Sequence, residues 1–303
     1  MTDVTSFDGT RLALYSWGRE NAPLLVLVHG LGLSIDSWGD VPERLAADYR
    51  VVGYELRGHA QSGDARTGNY SLAAHAQDLS AVLGAAVPDG GSAVVVAHSL
   101  GGGILLEHVH GGGADDRIAG VVFAGSGGSG ITVAGFPGDG LPRWARARVR
   151  SGWFTVLRTV ARVGGRIRPI APLADRLVRK AAFAPGEPRD LVEKVRDDFL
   201  TTRPLALAGT TLASVSHDGV RLAPSLTVPT LVVHGSEDPE VTDEEVEKLM
   251  AALPDAELVT VQGSGHMLAL TDPDVVVEQT RRWMRRMSGD RPVQESTTTS
   301  MTG

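Results

Sequence analysis

The chain has 303 residues, among them 37 Gly, 16 Pro and no Cys, with 42% hydrophobic and 21% charged residues. Such a profile fits one large globular domain or two modest ones and excludes a collagen-like, coiled-coil or wholly disordered chain. A formal charge of -7 argues against nucleic acid as a partner of the whole molecule, and the lack of Cys excludes a disulfide framework, a thiolate zinc site and a cysteine nucleophile.

Met1 to Gly9 are polar and lack the charged start and apolar core of a signal peptide, and Asp8-Gly9 reads as a hairpin turn. Short runs rich in Val and Leu then predict strands at Leu12 to Trp17, Leu24 to Val28, Val51 to Tyr54, Ala93 to Ala97, Val121 to Ala124, Thr230 to Val233 and Leu258 to Val261. Between them Ser71 to Leu83 and Asp243 to Leu253 read as helices, each opened by a Ser or Asp suited to capping the first backbone N–H groups. Strands alternating with helices predict an α/β fold with a mostly parallel sheet covered on both faces. No apolar run approaches the ~20 residues that span a bilayer, so the expectation is a cytoplasmic protein.

From Gly127 to His217 the strand rhythm stops, which marks an insertion. This stretch carries an excess of Arg and Lys, whereas the remainder of the chain is acidic. Val149, Trp153, Val156, Leu157, Val160, Val163 and Ile167 fall on one side of a helical wheel, with Arg148, Arg158, Arg162 and Arg166 on the other. Gly152 and Gly164-Gly165 would interrupt that helix. Ser288 to Gly303 contain almost nothing apolar and are expected to form a disordered tail. No internal repeat is visible.

Ala97-His98-Ser99-Leu100-Gly101-Gly102 follows directly on Ala93 to Val96 and precedes a helical stretch, Gly103 to Val109. A nucleophilic Ser must project from a sharp strand-to-helix turn, which requires small residues two before and two after it. Gly101 meets that demand fully and Ala97 in part. The N–H of Leu100, at the helix start, is placed to donate to an oxyanion. Val28-His29-Gly30-Leu31-Gly32 ends an earlier strand, and there the N–H of Leu31 is the natural second donor; read alone, the same segment is equally a Gly turn that starts a helix.

Serine needs an imidazole to take its proton and a carboxylate to orient that imidazole. Gly235-Ser236-Glu237-Asp238 puts an acid just past a strand, and Gly263-Ser264-Gly265-His266 puts a His after the next one. Asp238 is the expected acid, with Glu237 the weaker alternative, and His266 is the expected base.

In these residues the chain resembles the α/β-hydrolase superfamily from about Ser6 to Met287. The motifs that match in order are His29-Gly30-Leu31-Gly32, Leu56-Arg57-Gly58-His59, the turn at Ser99, Gly235-Ser236-Glu237-Asp238 and Gly265-His266. The resemblance implies an eight-stranded sheet, a cofactor-free Ser-His-Asp triad and a helical cap inserted after the sixth strand. On that reading residues 1–126 and 218–287 form the core, 127–217 the cap and 288–303 the tail. Two departures are Ala97, where the first Gly of the nucleophile turn is usual, and Glu55, where an Asp is usual before Arg-Gly-His. Relatives that cleave haloalkanes or epoxides use an Asp nucleophile, so Ser99 disfavours those reactions.

The expected activity is hydrolysis of a small or lipid-like carboxylic ester through an acyl-enzyme, with no cofactor and no metal. Thioester hydrolysis and carbon–carbon bond cleavage share every motif, and a non-catalytic binding role is the outlier. The basic cap fits a weak membrane-surface contact, attraction of an anionic acyl carrier, or a plain solvated face. His29 and His98 read as supports for local backbone, Arg57 as a structural anchor, and His75, His108, His110 and His217 as solvent-facing.

Overall fold

The computed structural model describes residues 1–113, 116–127, 171–215 and 217–289, with scattered positions between 141 and 159. Eight strands form one sheet: β1 Thr2–Thr5, β2 Arg11–Trp17, β3 Leu24–Val28, β4 Arg50–Tyr54, β5 Ala93–His98, β6 Ile118–Ala124, β7 Thr230–Gly235 and β8 Ala256–Val261. Their spatial order is β1-β2-β4-β3-β5-β6-β7-β8. The first two strands run antiparallel to their neighbours, and β3 to β8 are parallel.

All seven sequence-predicted strands are present, each within a few residues of its expected bounds. The eighth, β1, escaped notice because Thr2-Asp3-Val4-Thr5 is a polar, largely exposed edge strand with no apolar alternation. The turn at Asp8-Gly9 was its only signal: it folds β1 back on β2, with Gly9 at φ 81.

Alternation of side chains along the strands fills two cores. Val26, Val28, Val95, Ala97, Val121 and Phe123 face one side, under helices α2 (Leu72–Ala86) and α3 (Leu100–His108), through Leu79, Leu83, Ile104 and Leu105. Leu25, Leu27, Val94, Val96, Val122 and Val233 face the other, where helix α1 (Val41–Leu45) supplies Val41 and Leu45 and the C-terminal helix Pro273–Met287 supplies Val276, Val277 and Trp283. Runs buried on both faces explain why these strands read as continuous aliphatic stretches.

Between β6 and β7 the described residues hold helices α4 (Ala171–Ala182), α5 (Arg189–Thr201) and α6 (Pro204–Val215), and no strand. The amphipathic pattern from Val149 to Ile167 lies largely outside the described residues, as does 290–303 of the expected tail. Two short helices, α7 (Gly219–Leu222) and, after β7, α8 (Asp243–Ala252), lead on to α9 (Leu268–Thr271) and α10 (Pro273–Met287). Ser71 caps α2 as expected, but Thr242 rather than Asp243 caps α8, in a reciprocal box with Glu245. Among the described residues no helix is long and apolar enough to cross a membrane.

Candidate active site

Parallel pairing sets Val28 beside Ala97, His98 beside Ala124, and Gly235 beside Val261, so the loops that leave β3, β5, β6, β7 and β8 emerge along one edge of the sheet. Ligand sites of open parallel sheets collect at that edge.

Ser99 stands at the turn between β5 and α3 with φ 52 and ψ -121, a conformation that non-glycine residues adopt only when their surroundings enforce it. The surroundings do so. A Cβ on Gly101 would lie 2.5 Å from the Val28 carbonyl oxygen, so only glycine lets α3 start this close to β3. The Ser126 hydroxyl donates to the Ser99 carbonyl at 2.9 Å. Helix α3 begins at Leu100, whose backbone N–H as the first of the helix has no partner within it. The loop after β3 lies against the serine: a Cβ on Gly30 would come within 3.0 Å of Ser99 Cβ.

That loop is held from below. His29 lies wholly buried, with Nδ1 donating to the Gly30 carbonyl at 2.9 Å and Nε2 accepting the Leu56 N–H at 3.1 Å. The Gly32 N–H donates to His59 Nε2 at 3.1 Å, and Glu55 accepts the Ile35 N–H at 3.2 Å. Glu55 thus serves as a buried acceptor for the loop. Gly32 and Gly30 are anchored in this way while the intervening Leu31 remains partly buried at the edge.

Asp238 and His266 meet directly. Asp238 Oδ2 accepts from His266 Nδ1 at 2.9 Å, and its Oδ1 accepts the N–H groups of Glu240 at 2.8 Å and Val241 at 2.9 Å. Burial raises the Asp238 carboxyl, but the His266 charge and these three hydrogen bonds outweigh it and leave it below the usual carboxylate range. Glu237, the weaker candidate, is exposed. Burial lowers His266, whereas Asp238 and then Glu240 raise it, to about 9 in balance.

Glu240 went unnoticed in the sequence. Its Oε2 lies 3.2 Å from His266 Nε2, the nitrogen opposite the one Asp238 engages. Among the described residues no hydrogen bond joins Ser99 Oγ to the imidazole. The residue before Ser99, His98, does meet His266: its ring centroid lies 4.9 Å from that of His266. The His98 Nε2 donates to the His266 carbonyl at 3.1 Å, with Gly125 (φ 59) leaving room for that carbonyl. His98 therefore does not serve local backbone, as expected, but braces the segment that bears His266. Burial and the His266 charge lower it to about 3, so it is a neutral strut.

The remaining expectations divide. Arg57 is an anchor: it makes a two-pronged pair with Asp78 at 2.6 Å through each prong, adds Asp8 at 3.1 Å, and is wholly buried. His110 is exposed, but His75 and His108 are buried and the His217 side chain nearly so. His75 meets Thr210 Oγ1 of α6 at 3.1 Å and His108 donates to the Ala76 carbonyl at 3.2 Å. Both lie at contacts between helices, and a helix's outer neighbour cannot be read from its own residues. Among the described residues no group of three or more His, Asp and Glu side chains is placed to hold a metal ion.

A family model of the alpha/beta hydrolases matches residues 25–279, and the chain belongs to this family. An uncharacterized protein of Mycobacterium tuberculosis is 27% identical over 273 residues, 87% of this chain and 76% of that protein. Two solved structures share the fold: a thermophilic esterase from Thermogutta terrifontis (TM-score 0.75, 23% identity, 94% of this chain and 98% of that one) and the enol-lactonase from Burkholderia xenovorans (TM-score 0.74, 22% identity, 93% and 99%). At these identities the two show the fold alone.

Proposed function

We propose that the protein is a serine hydrolase that cleaves a carboxylic ester, with Ser99 as nucleophile, His266 as base and Asp238 as the acid that orients it. The observation that carries this reading is the 2.9 Å bond from His266 Nδ1 to Asp238, which leaves Nε2 as the ring nitrogen to act as base, and it is supported by the strained strand-to-helix turn that holds Ser99. Support comes also from the solved esterase and enol-lactonase on the same fold.

In the scheme Ser99 Oγ attacks the acyl carbonyl while His266 Nε2 takes its proton. The N–H groups of Leu31 and Leu100 stabilise the oxyanion, each worth about 3 to 4 kcal/mol in comparable sites. His266 returns the proton to the leaving alcohol, and water then attacks the acyl-enzyme by the same relay. The helices between β6 and β7 act as a cap over this site, through which acyl substrates are selected.

Purified protein assayed with p-nitrophenyl esters of increasing acyl length, and separately with acyl-CoA, tests the reading. Ester turnover lost by at least about a thousandfold in Ser99→Ala and in His266→Ala, with both variants folded, is the expected result. Ester turnover retained by Ser99→Ala would overturn it.

A further inference from the structure

Glu240 is the polar group at this site that ester cleavage leaves unused. It follows Asp238 by two residues, across Pro239, in a loop whose shape is fixed at both ends. Asp238 Oδ1 accepts the Glu240 and Val241 N–H groups at 2.8 and 2.9 Å, and Thr242 caps helix α8. This tight turn returns the Glu240 side chain to the imidazole that Asp238 already holds, 3.2 Å from Nε2 and about three-quarters buried.

The two nitrogens of His266 therefore each face a carboxylate, at 2.9 and 3.2 Å. Asp238 accepts a hydrogen bond from Nδ1 and Glu240 faces Nε2 with its charge, so this arrangement favours the state in which both ring nitrogens carry a proton. An imidazolium cannot accept a proton from serine. Ser99 and Glu240 are thus alternative partners of one nitrogen.

We propose that Glu240 is a further functional residue of this site, which holds the proton on His266 Nε2 in the resting protein and must give up that nitrogen before Ser99 can use it. The inference rests on the assignment of His266 as the base. Its chemistry balances simply: the Nε2 proton passes to water, Glu240 turns away as a carboxylate, and the freed lone pair accepts the Ser99 Oγ proton as the oxygen bonds to the acyl carbon. Among the described residues, the charged and titratable groups facing His266 are Asp238 and Glu240 from the loop after β7, and His98 from β5. His98, neutral with its pKa lowered to about 3, leaves the two carboxylates in control. Burial raises the Glu240 carboxyl, which weakens its hold in acid while Asp238 keeps its own.

The test is an NMR titration of the His266 imidazole in the full chain, in wild type, Glu240→Gln and Glu240→Leu, beside the pH profile of kcat/KM for an ester. Both substitutions should move the His266 midpoint down by about one unit or more and shift the rising limb of kcat/KM by the same amount, so that turnover at pH 7 increases up to about tenfold. A purely structural role for Glu240 would change the rate without moving either midpoint. A His266 midpoint that stays put in both variants overturns the proposal. The titration is read whether or not Ser99 proves to be the nucleophile: activity surviving in Ser99→Ala would defeat the ester-cleavage scheme, whereas an unmoved midpoint defeats the role of Glu240.

Discussion

The Ser34 hydroxyl donates to Asp198 Oδ2 across 2.7 Å, joining helix α5 to the loop that follows β3, although the two residues are 164 positions apart in sequence. Burial raises the Asp198 carboxyl, which the Ser34 bond opposes. The same loop carries Leu31, so the contact couples the helices between β6 and β7 to an expected oxyanion donor.

Ser34→Ala should therefore loosen α5 without unfolding the sheet. The expected cost is about 1 kcal/mol, since the Asp198 acceptor that loses its donor is only partly buried. Hydrogen exchange would show faster opening of residues 189–201 and little change in β3 to β7. Uniform acceleration across the sheet would mean that the bond supports the whole fold instead.

The buried Arg57–Asp78 pair makes a larger demand. Arg57→Ala leaves Asp78 without its cation in a dry interior, which should destabilise the protein by about 3 to 5 kcal/mol in urea unfolding. Arg57→Ala with Asp78→Ala should recover part of that loss, since the stranded charge is gone. A double variant as unstable as the sum of the two single ones would show that the pair is not coupled.

Stability should depend on pH from both sides. Burial is the main cause that holds His59 and His98 neutral, with folded values of about 3 against an ordinary 6.5. In that window the unfolded chain binds more protons, so their contribution is whole above 6.5 and drains away as pH falls towards 3. His266 works in the opposite direction: raised to about 9, it stabilises fully below 6.5 and loses that contribution as pH climbs through 9. Thermal unfolding from pH 4 to 10 should show Tm falling at both ends. An unchanged Tm between pH 7 and 4.5 would contradict the neutral buried histidines.

Activity should follow His266 as well. An ordinary imidazole places the rising limb of the rate between roughly pH 6 and 7, but two carboxylates displace it to about 9. Measured kcat/KM for an ester should keep increasing above pH 8. A plateau already reached at pH 7 would show that His266 titrates as an isolated side chain.

Much of this architecture is legible because the strands β3 to β7 are buried on both faces and so announce themselves as aliphatic runs. The turn at Ser99 and the loops bearing Asp238 and His266 are equally plain, since each follows such a run. What remained hidden depends on tertiary neighbours. Edge strand β1 has no apolar pattern to display. His75 is polar on a helix and looks solvated until α6 covers it. His98 reaches a carbonyl 168 residues away, and Glu240 meets His266 only because the Asp238 turn folds it back. For Glu240 the run of acids from Glu237 was a signal, though it gave no direction. The Thr242 and Glu245 spacing, by contrast, was a readable capping signature at α8.

The central claim is that Ser99 becomes acylated through His266 and Asp238. Mass spectrometry of the protein after reaction with a fluorophosphonate, carried out on wild type, Ser99→Ala, His266→Ala and Asp238→Asn, tests it most directly. One adduct on the peptide containing Ser99 is expected, absent in Ser99→Ala and formed far more slowly in the other two. An adduct at another residue, or labelling of Ser99 at full rate without His266, would contradict the account.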